Sequence, residues 1–174
     1  MSLTFAIGSN LAPSQMQRRC PGCRIVSRAV LPGYRLAFGG WSKRWGGPVA
    51  TVVPAPGHSV PGVVYWLSDA DLISLDRFEG VPRVYRRFTA QVVARGERVL
   101  HAEVYRLEAP PGARPSEAYA AVLRAMYAAW GFDPKPLREA EQGLLWAPLP
   151  ARRGPARRSK RQAEPGARQS GRAR

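Results

Sequence analysis

The sequence predicts an α+β domain with a mixed sheet. Its β-forming segments outnumber its helical ones and mostly follow one another directly, whereas a doubly wound α/β domain alternates strands with helices. The length of 174 residues suits one compact domain at 1–150 with an appendage at 151–174, and the hydrophobic fraction of 45% is ordinary for a globular core. No run of about eighteen apolar residues occurs, so we expect no membrane-spanning helix. Met1-Ser2-Leu3 opens without a basic or cleavable apolar segment, which favours a cytoplasmic protein.

The first half of the chain is predicted to be mainly β. A short apolar run at 3–7 ends in Gly8-Ser9-Asn10, which indicates a buried strand that enters a tight turn. Pro13 suits the first turn of a helix, where a backbone N–H would have no partner inside the helix. The elements predicted from there are a helix at 13–19, a β-rich segment at 26–38 broken by Pro32-Gly33, a long glycine-rich loop at 39–48, and strands at 49–53 and 60–67 separated by a turn at 54–57.

The second half combines two helices with a hairpin. Ser68 is a suitable N-cap for a helix that ends near Glu79, before the helix-stopping residues Gly80 and Pro82. The further predictions are an apolar face of Leu72, Leu75 and Phe78 on this helix, a hairpin of 88–94 and 99–107, and a helix at 117–130 that Ser116 begins, that Gly131 ends and that buries Ala120, Leu123, Met126, Tyr127 and Trp130.

The net charge of +15 is unevenly distributed. Residues 151–174 hold nine Arg or Lys and a single acid, Glu164, and contain no Leu, Ile, Val, Met or aromatic residue. Such a segment cannot bury enough apolar surface to offset its ordering entropy, so we predict a disordered basic tail. Its charge favours nonspecific contacts with polyanions and carries no information about the fold.

Several function classes lack their motifs. The sequence has neither a phosphate-binding G-x-x-x-x-G-K-[ST] nor a G-x-G-x-x-G after the first strand, and it has no G-x-S-x-G nucleophile motif. Cys20 and Cys23, in C-P-G-C, follow a helix, whereas a thioredoxin-like pair begins one. Two cysteines cannot complete a zinc site, and His58 and His101 lack paired spacing, so no metal site is predicted.

Two features could carry chemistry. Gly8-Ser9-Asn10 joins a strand to a helix, and free N–H groups at such a turn can hold a carboxylate or an oxyanion. Glu79 lies in the last turn of its helix, where the negative end of the helix dipole and the apolar neighbours both push the pKa of its carboxyl upward. A raised pKa suits a general base that acts on an amine.

Together with their flanks, these features resemble the γ-glutamylcyclotransferase superfamily over residues 4–131. Phe5-Ala6-Ile7-Gly8-Ser9-Asn10-Leu11 is similar to the family's opening F-x-Y-G-S-N-L signature, and Leu75-Asp76-Arg77-Phe78-Glu79-Gly80-Val81 contains its acidic residue. The other matching segments, in the family's order, are Met16 with Arg19-Cys20-Pro21, Gly33-Tyr34-Arg35-Leu36-Ala37-Phe38, Trp45-Gly46-Gly47-Pro48-Val49-Ala50-Thr51, Gly62-Val63-Val64-Tyr65, Tyr85-Arg86-Arg87 and Pro115-Ser116-Glu117-Ala118-Tyr119.

The resemblance implies a compact mixed β-barrel flanked by a few helices, with the pocket at the barrel mouth. It implies cyclisation of a small γ-glutamyl substrate to 5-oxoproline with release of an amine or amino acid, by Glu79 as acid/base and without a cofactor. Dipeptides, γ-glutamylamines and glutathione are candidate substrates, and the residues expected to bind them are Ile7, Gly8, Ser9, Asn10, Leu11, Tyr85 and Tyr119. Ile7 departs from the family, which usually has Tyr there, so the substrate preference can differ.

Two alternatives remain open from the sequence. In one, a cyclotransferase-like body has lost or changed its activity and serves as a binding protein whose basic tail docks on nucleic acid. In the other, Cys20 and Cys23 form a thiol redox centre, which would fail if replacement of both by serine changed nothing. The sequence does not predict an oligomeric state.

Truncation after Pro150 separates an enzyme from a polyanion-binding protein. We expect the melting temperature and turnover to stay almost unchanged, because the removed residues contribute no core. Affinity for polyanions, and its dependence on salt, should fall in the truncated chain. A large loss of thermal stability would show that the segment packs on the domain, and would contradict the boundary at 150.

Overall fold

The computed structural model describes residues 2–108 and 112–143, which form five strands and four α-helices. The predicted basic tail at 151–174 lies outside these residues. The elements, in chain order, are β1 (Ser2–Ala6), a 3₁₀ turn (Ser9–Leu11), α1 (Pro13–Arg19), β2 (Arg24–Ser42), β3 (Gly47–Leu67), α2 (Asp69–Glu79), β4 (Tyr85–Ala94), β5 (Arg98–Leu107), α3 (Glu117–Trp130) and α4 (Lys135–Glu141).

The five strands close into a barrel in the order β1-β3-β2-β4-β5. Strand β1 runs parallel to β5, with Thr4 beside Glu103 and Phe5 beside Val104, and the other neighbouring strands are antiparallel. Closure leaves no open edge along the paired parts of β1 and β5. The α+β class and the mixed barrel are therefore confirmed.

The β2–β3 hairpin is longer than predicted. Residues 39–42 continue β2, the turn comprises only residues 43–46, and the predicted turn at 54–57 lies within β3. A register shift between Pro32 and Tyr34 absorbs the break expected at Pro32-Gly33. In the outer part of this hairpin, β2 and β3 pair only with each other. A proline whose position there points away from the partner strand therefore removes no ladder hydrogen bond.

The helix ends follow the predicted capping residues. The hydroxyl of Ser68 accepts the Asp71 N–H at 3.1 Å, and Gly80 ends α2 in the left-handed conformation with φ of 68°. Ser116 and Gly131 do the same for α3. The short helix α4 was not predicted from the sequence.

The predicted apolar faces are only partly correct. On α2, Leu75 is buried and Leu72 half-buried, but Phe78 is 57% exposed, because its ring lies outside the core and stacks on Arg19 instead. The predicted buried side of α3 divides into buried Ala120, Leu123 and Tyr127 and half-buried Met126 and Trp130.

One close approach between β1 and β3 requires glycine. A Cβ added to Gly62 would lie 2.4 Å from the carbonyl oxygen of Ala6 and 2.5 Å from the ring of Phe5. Phe5 is 1% exposed and belongs to the central core. The β1 backbone and its core aromatic ring therefore occupy the space that any side chain at 62 would need.

We expect Gly62→Ala to lower the free energy of unfolding by about 1–3 kcal/mol, because the added methyl must displace backbone or a core ring. Denaturant unfolding measures the change. Ser59→Ala, an exposed change on the same strand, is the control and should stay within about 0.5 kcal/mol. Equal stability of Gly62→Ala and the wild-type chain would contradict this packing.

Candidate active site

The barrel topology collects several chain segments at one end. Because β1 and β5 are parallel, the Gly8-Ser9-Asn10 turn after β1 and Tyr105 near the end of β5 lie at the same end of the barrel. Strand β4 runs the other way, so its first residue, Tyr85, lies there too, as does Ala50 near the start of β3. These segments border a cavity of about 220 Å³.

Glu79 lies in this cavity as the last residue of α2, with a side chain that is 13% exposed. Its Oε1 accepts hydrogen bonds from Nη1 of Arg19 at 2.7 Å and from Nδ2 of Asn10 at 2.9 Å. Within the described part of the chain, Oε2 has no hydrogen-bond partner. One carboxylate oxygen is therefore held, and the other is available to a ligand.

Contacts between α1 and α2 place Arg19 opposite Glu79. The hydroxyl of Ser74 donates to the carbonyl of Arg19 at 2.7 Å, and the thiol of Cys20 donates to the carbonyl of Asp71 at 3.4 Å. The two bonds fix the end of α1 against α2, so the guanidinium reaches the carboxylate of Glu79.

The Gly8-Ser9-Asn10 turn is held by α1, the helix that also carries Arg19. Gln15, which is 4% exposed, donates through Nε2 to the hydroxyl of Ser9 at 2.6 Å and to Oδ1 of Asn10 at 3.2 Å. Arg19 donates to the same Oδ1 at 3.0 Å. Because Oδ1 accepts both bonds, the amide of Asn10 must present its NH₂ group to Glu79.

Burial raises the pKa of the Glu79 carboxyl above its ordinary value. The charge of Arg19 and the hydrogen bonds from Asn10 and Arg19 act in the opposite direction. The predicted direction is correct, and of the two causes given for it, burial among apolar neighbours is the largest one found in the structure. The carboxylate is therefore more basic than a solvated glutamate.

Two tyrosines form hydrogen bonds with the backbone of Ala50 on the cavity wall. The hydroxyl oxygen of Tyr119 accepts the Ala50 N–H at 3.3 Å, and the Tyr85 hydroxyl donates to the Ala50 carbonyl at 3.0 Å. Burial raises the pKa of Tyr119 to about 12 and raises that of Tyr85 as well. Both phenols therefore keep their protons at neutral pH.

Tyr119 also contacts the Gly8-Ser9-Asn10 turn. The backbone N–H of Ser9 stabilises the Tyr119 oxygen, and a Cβ added to Gly8 would lie 3.0 Å from that oxygen and 3.3 Å from Cβ of Ala50. With its oxygen receiving N–H donors, the Tyr119 hydroxyl is a stronger donor toward a ligand.

A third tyrosine fixes α2 to the barrel. The Tyr105 hydroxyl donates to Oδ1 of Asp76 at 2.6 Å, and Nη1 of Arg87 lies 3.3 Å from the other Asp76 oxygen. Asp76 is one helical turn before Glu79, so these contacts hold the helix end that carries the carboxylate.

The predicted binding residues largely meet here. Ile7, Gly8, Ser9, Asn10, Tyr85 and Tyr119 line the cavity together with Glu79. Leu11 does not: it is fully buried in the core, and its carbonyl accepts a hydrogen bond from the Trp130 indole at 2.8 Å. Leu11 therefore anchors the turn to the core.

The cysteine pair has a packing role in this structure. Both thiols are free, and burial raises the pKa of Cys20 to about 12, which disfavours the reactive thiolate.

Within residues 2–108 and 112–143, no group of three or more His, Cys, Asp or Glu could hold a metal ion. No helix in these ranges is long and apolar enough to cross a membrane.

Comparison with known proteins agrees with this arrangement. Residues 4–126 match the family model described as "Gamma-glutamyl cyclotransferase, AIG2-like". The chain belongs to the γ-glutamylcyclotransferase family. It is 33% identical to mouse and 31% identical to human γ-glutamylcyclotransferase over 126 residues, which are 70% of this chain and 67% of each relative. A solved structure of a "Gamma-glutamyl cyclotransferase" superposes with a TM-score of 0.74 at 27% identity, over 80% of this chain and 86% of that one.

The chain is therefore an enzyme of the γ-glutamylcyclotransferase family, and its cavity contains residues that the sequence argument did not assign. Among them are Arg19, Trp45 and Tyr105 on the wall, and Gln15 and Asp76 lie behind it. Arg19, Trp45 and Asp76 carried one signal, since each lies within a segment that matches the family. The contacts of Asp76 and Gln15 depend on which elements meet, which no local pattern encodes.

We expect Arg19→Met to raise the pKa of Glu79 further, because the variant loses the charge and the hydrogen bond that lower it. An NMR titration of the Glu79 carboxyl carbon measures the shift, with Glu79→Gln to assign the resonance. Arg18→Met, on an exposed residue of the same helix, should leave this pKa unchanged. A pKa that falls in Arg19→Met would contradict the pairing.

Proposed function

We propose that this enzyme cyclises a γ-glutamyl group to 5-oxoproline and releases the attached amine or amino acid, with Glu79 as general acid/base. The observation that carries the proposal is the buried Glu79 carboxylate at the cavity, whose Oε1 is held by Arg19 and Asn10 while Oε2 has no hydrogen-bond partner among the described residues. Membership of the family supports the reaction class.

The reaction is intramolecular. The neutral α-amine of the substrate attacks its own γ-carbonyl carbon, so a C–N bond forms and closes a five-membered ring. Oε2 of Glu79 accepts the proton that the amine loses and then delivers it to the leaving nitrogen as the original amide bond breaks. The nucleophile and the electrophile belong to one molecule, so no co-substrate or cofactor is needed.

The raised pKa of Glu79 suits both halves of this transfer. An ordinary glutamate is a poor base toward an amine, and burial narrows the gap between their pKa values. The charge and the hydrogen bond of Arg19 lower the pKa of Glu79 and so favour the ionised form, which is the form that acts as a base. Asn10 fixes the carboxylate plane by holding the same oxygen as Arg19.

The other wall of the cavity holds the developing negative charge. As the amine attacks, the γ-carbonyl oxygen becomes an oxyanion, and we assign its stabilisation to the neutral Tyr119 hydroxyl, which lines the cavity. The Ser9 N–H is directed at the Tyr119 oxygen, so the N–H groups of Gly8 and Asn10 are left for the α-carboxylate of the substrate. Holding the glutamyl chain curled between Glu79 and this wall provides the proximity that the uncatalysed reaction lacks.

We expect Glu79→Gln to fold normally and to lose about 10²–10⁴-fold in kcat, because the change keeps the shape and removes only proton transfer. The measurement is release of 5-oxoproline from a panel of γ-glutamyl dipeptides, γ-glutamylamines and glutathione. Glu108→Gln, on an exposed carboxylate outside the cavity, is the control and should retain turnover. Near-full turnover of Glu79→Gln would exclude Glu79 as the acid/base.

A further inference from the structure

The mouth of the cavity is apolar. Three of its lining side chains are largely exposed: Trp41 at 72%, Phe78 at 57% and Val84 at 51%. They come from β2, from α2 and from the segment that joins α2 to β4. Exposed apolar residues are ordinary when scattered, but three around one opening form a patch that is typical of a binding surface.

The charged side chains at the cavity already have partners: the guanidinium of Arg44, beside the mouth, lies 5.1 Å from the centre of the Trp45 ring. Arg19 and Glu79 are the only charged residues among the described ones that line the cavity, and they are paired with each other at 2.7 Å. The guanidinium of Arg19 also lies 5.2 Å from the centre of the Phe78 ring. This cation–π contact holds the ring at the opening.

The chemistry fixes which part of the substrate meets this surface. The α-amine must reach Glu79, so the glutamyl part occupies the inner end, among the turn and the tyrosines. The leaving amine is attached at the γ-carbonyl and extends toward the opening, where it meets Trp41, Phe78 and Val84.

We propose, building on the cyclisation proposed above, that these three residues select γ-glutamyl compounds whose leaving amine carries an uncharged, apolar or aromatic group. Burial of such a group against two aromatic rings and a valine removes apolar surface of both the substrate and the protein from water.

Two compounds that differ only by a phenyl ring, γ-glutamylphenethylamine and γ-glutamylethylamine, test the proposal. We expect kcat/KM to be about tenfold or more higher with the phenyl ring than without it. Equal kcat/KM for the two compounds would overturn the proposal.

Variants assign the preference to the mouth. Trp41→Ala and Phe78→Ala should each lower the ratio of kcat/KM between the phenethyl and ethyl compounds roughly 2- to 10-fold. The ratio is the readout because a change that acts through Arg19 and Glu79 lowers both values together. Ile73→Ala, an exposed apolar residue on the same helix outside the cavity, should keep the ratio. An unchanged ratio in both mouth variants would overturn the proposal even if cyclisation occurs.

Equilibrium binding separates this proposal from the cyclisation itself. The Kd of each compound is measured by calorimetry, with Glu79→Gln if the wild-type enzyme turns the compounds over. If no compound yields 5-oxoproline, the proposed reaction fails, but tighter binding of the phenethyl compound that weakens in Trp41→Ala still supports the mouth as an apolar binding surface. Equal Kd values for the phenethyl and ethyl compounds would overturn the proposal that the mouth is an apolar binding surface.

Discussion

The buried carboxylate of Glu79 is the constraint on which the arrangement of the cavity depends. An ion of this size loses several kcal/mol of solvation when it leaves water, and an opposite charge with good hydrogen-bond geometry can offset this loss. Here the compensation comes from Arg19 on α1 and Asn10 in the turn, at 2.7 and 2.9 Å. A shift of α1 against α2 would leave a buried charge without its partner. Ser74 and Gln15, which never touch the carboxylate, therefore stabilise it by holding those two donors.

The closed barrel turns this local pairing into a site. A single parallel contact, between β1 and β5, brings the turn after β1 to the end of the barrel where β5 finishes and β4 begins. The tyrosines of those two strands then lie opposite α2, which follows β3 after one residue, Ser68. The wall that faces Glu79 is tied together by Tyr85 and Tyr119, which bond the carbonyl and the N–H of Ala50 respectively.

Local sequence signals were sufficient for the helix ends and for most of the strands. Ser68, Gly80, Ser116 and Gly131 act through contacts within a few residues, so their effect was visible in the sequence. The long hairpin is not predictable from local signals, because proline and glycine indicate breaks, whereas pairing with a partner strand absorbs them. Helix α4 was missed because it is only seven residues long and buries two apolar side chains, Leu137 and Ala140.

The site was predictable where the family's motifs are continuous in sequence, and not where it depends on tertiary contacts. The turn and Glu79 belong to such motifs, and all but one of the binding residues expected from the resemblance line the cavity. Leu11 belongs to the same signature but is fully buried, because the side chain of the last turn residue points to the core. Exposure of Phe78 was unpredictable from helical spacing, since that spacing describes a face and not what covers it.

Arg19 performs two tasks that conflict, and the geometry shows how they are balanced. A closer or bidentate pairing would stabilise the ionised carboxylate more and lower the pKa of Glu79, which would make it a weaker base. In this structure Arg19 contacts Glu79 through one nitrogen and one oxygen, and the same nitrogen is shared with Oδ1 of Asn10. The pairing is strong enough to keep the carboxylate in place, yet burial still dominates and the pKa stays above its ordinary value. The second oxygen has no hydrogen-bond partner among the described residues, which leaves it for the proton transfer that we propose.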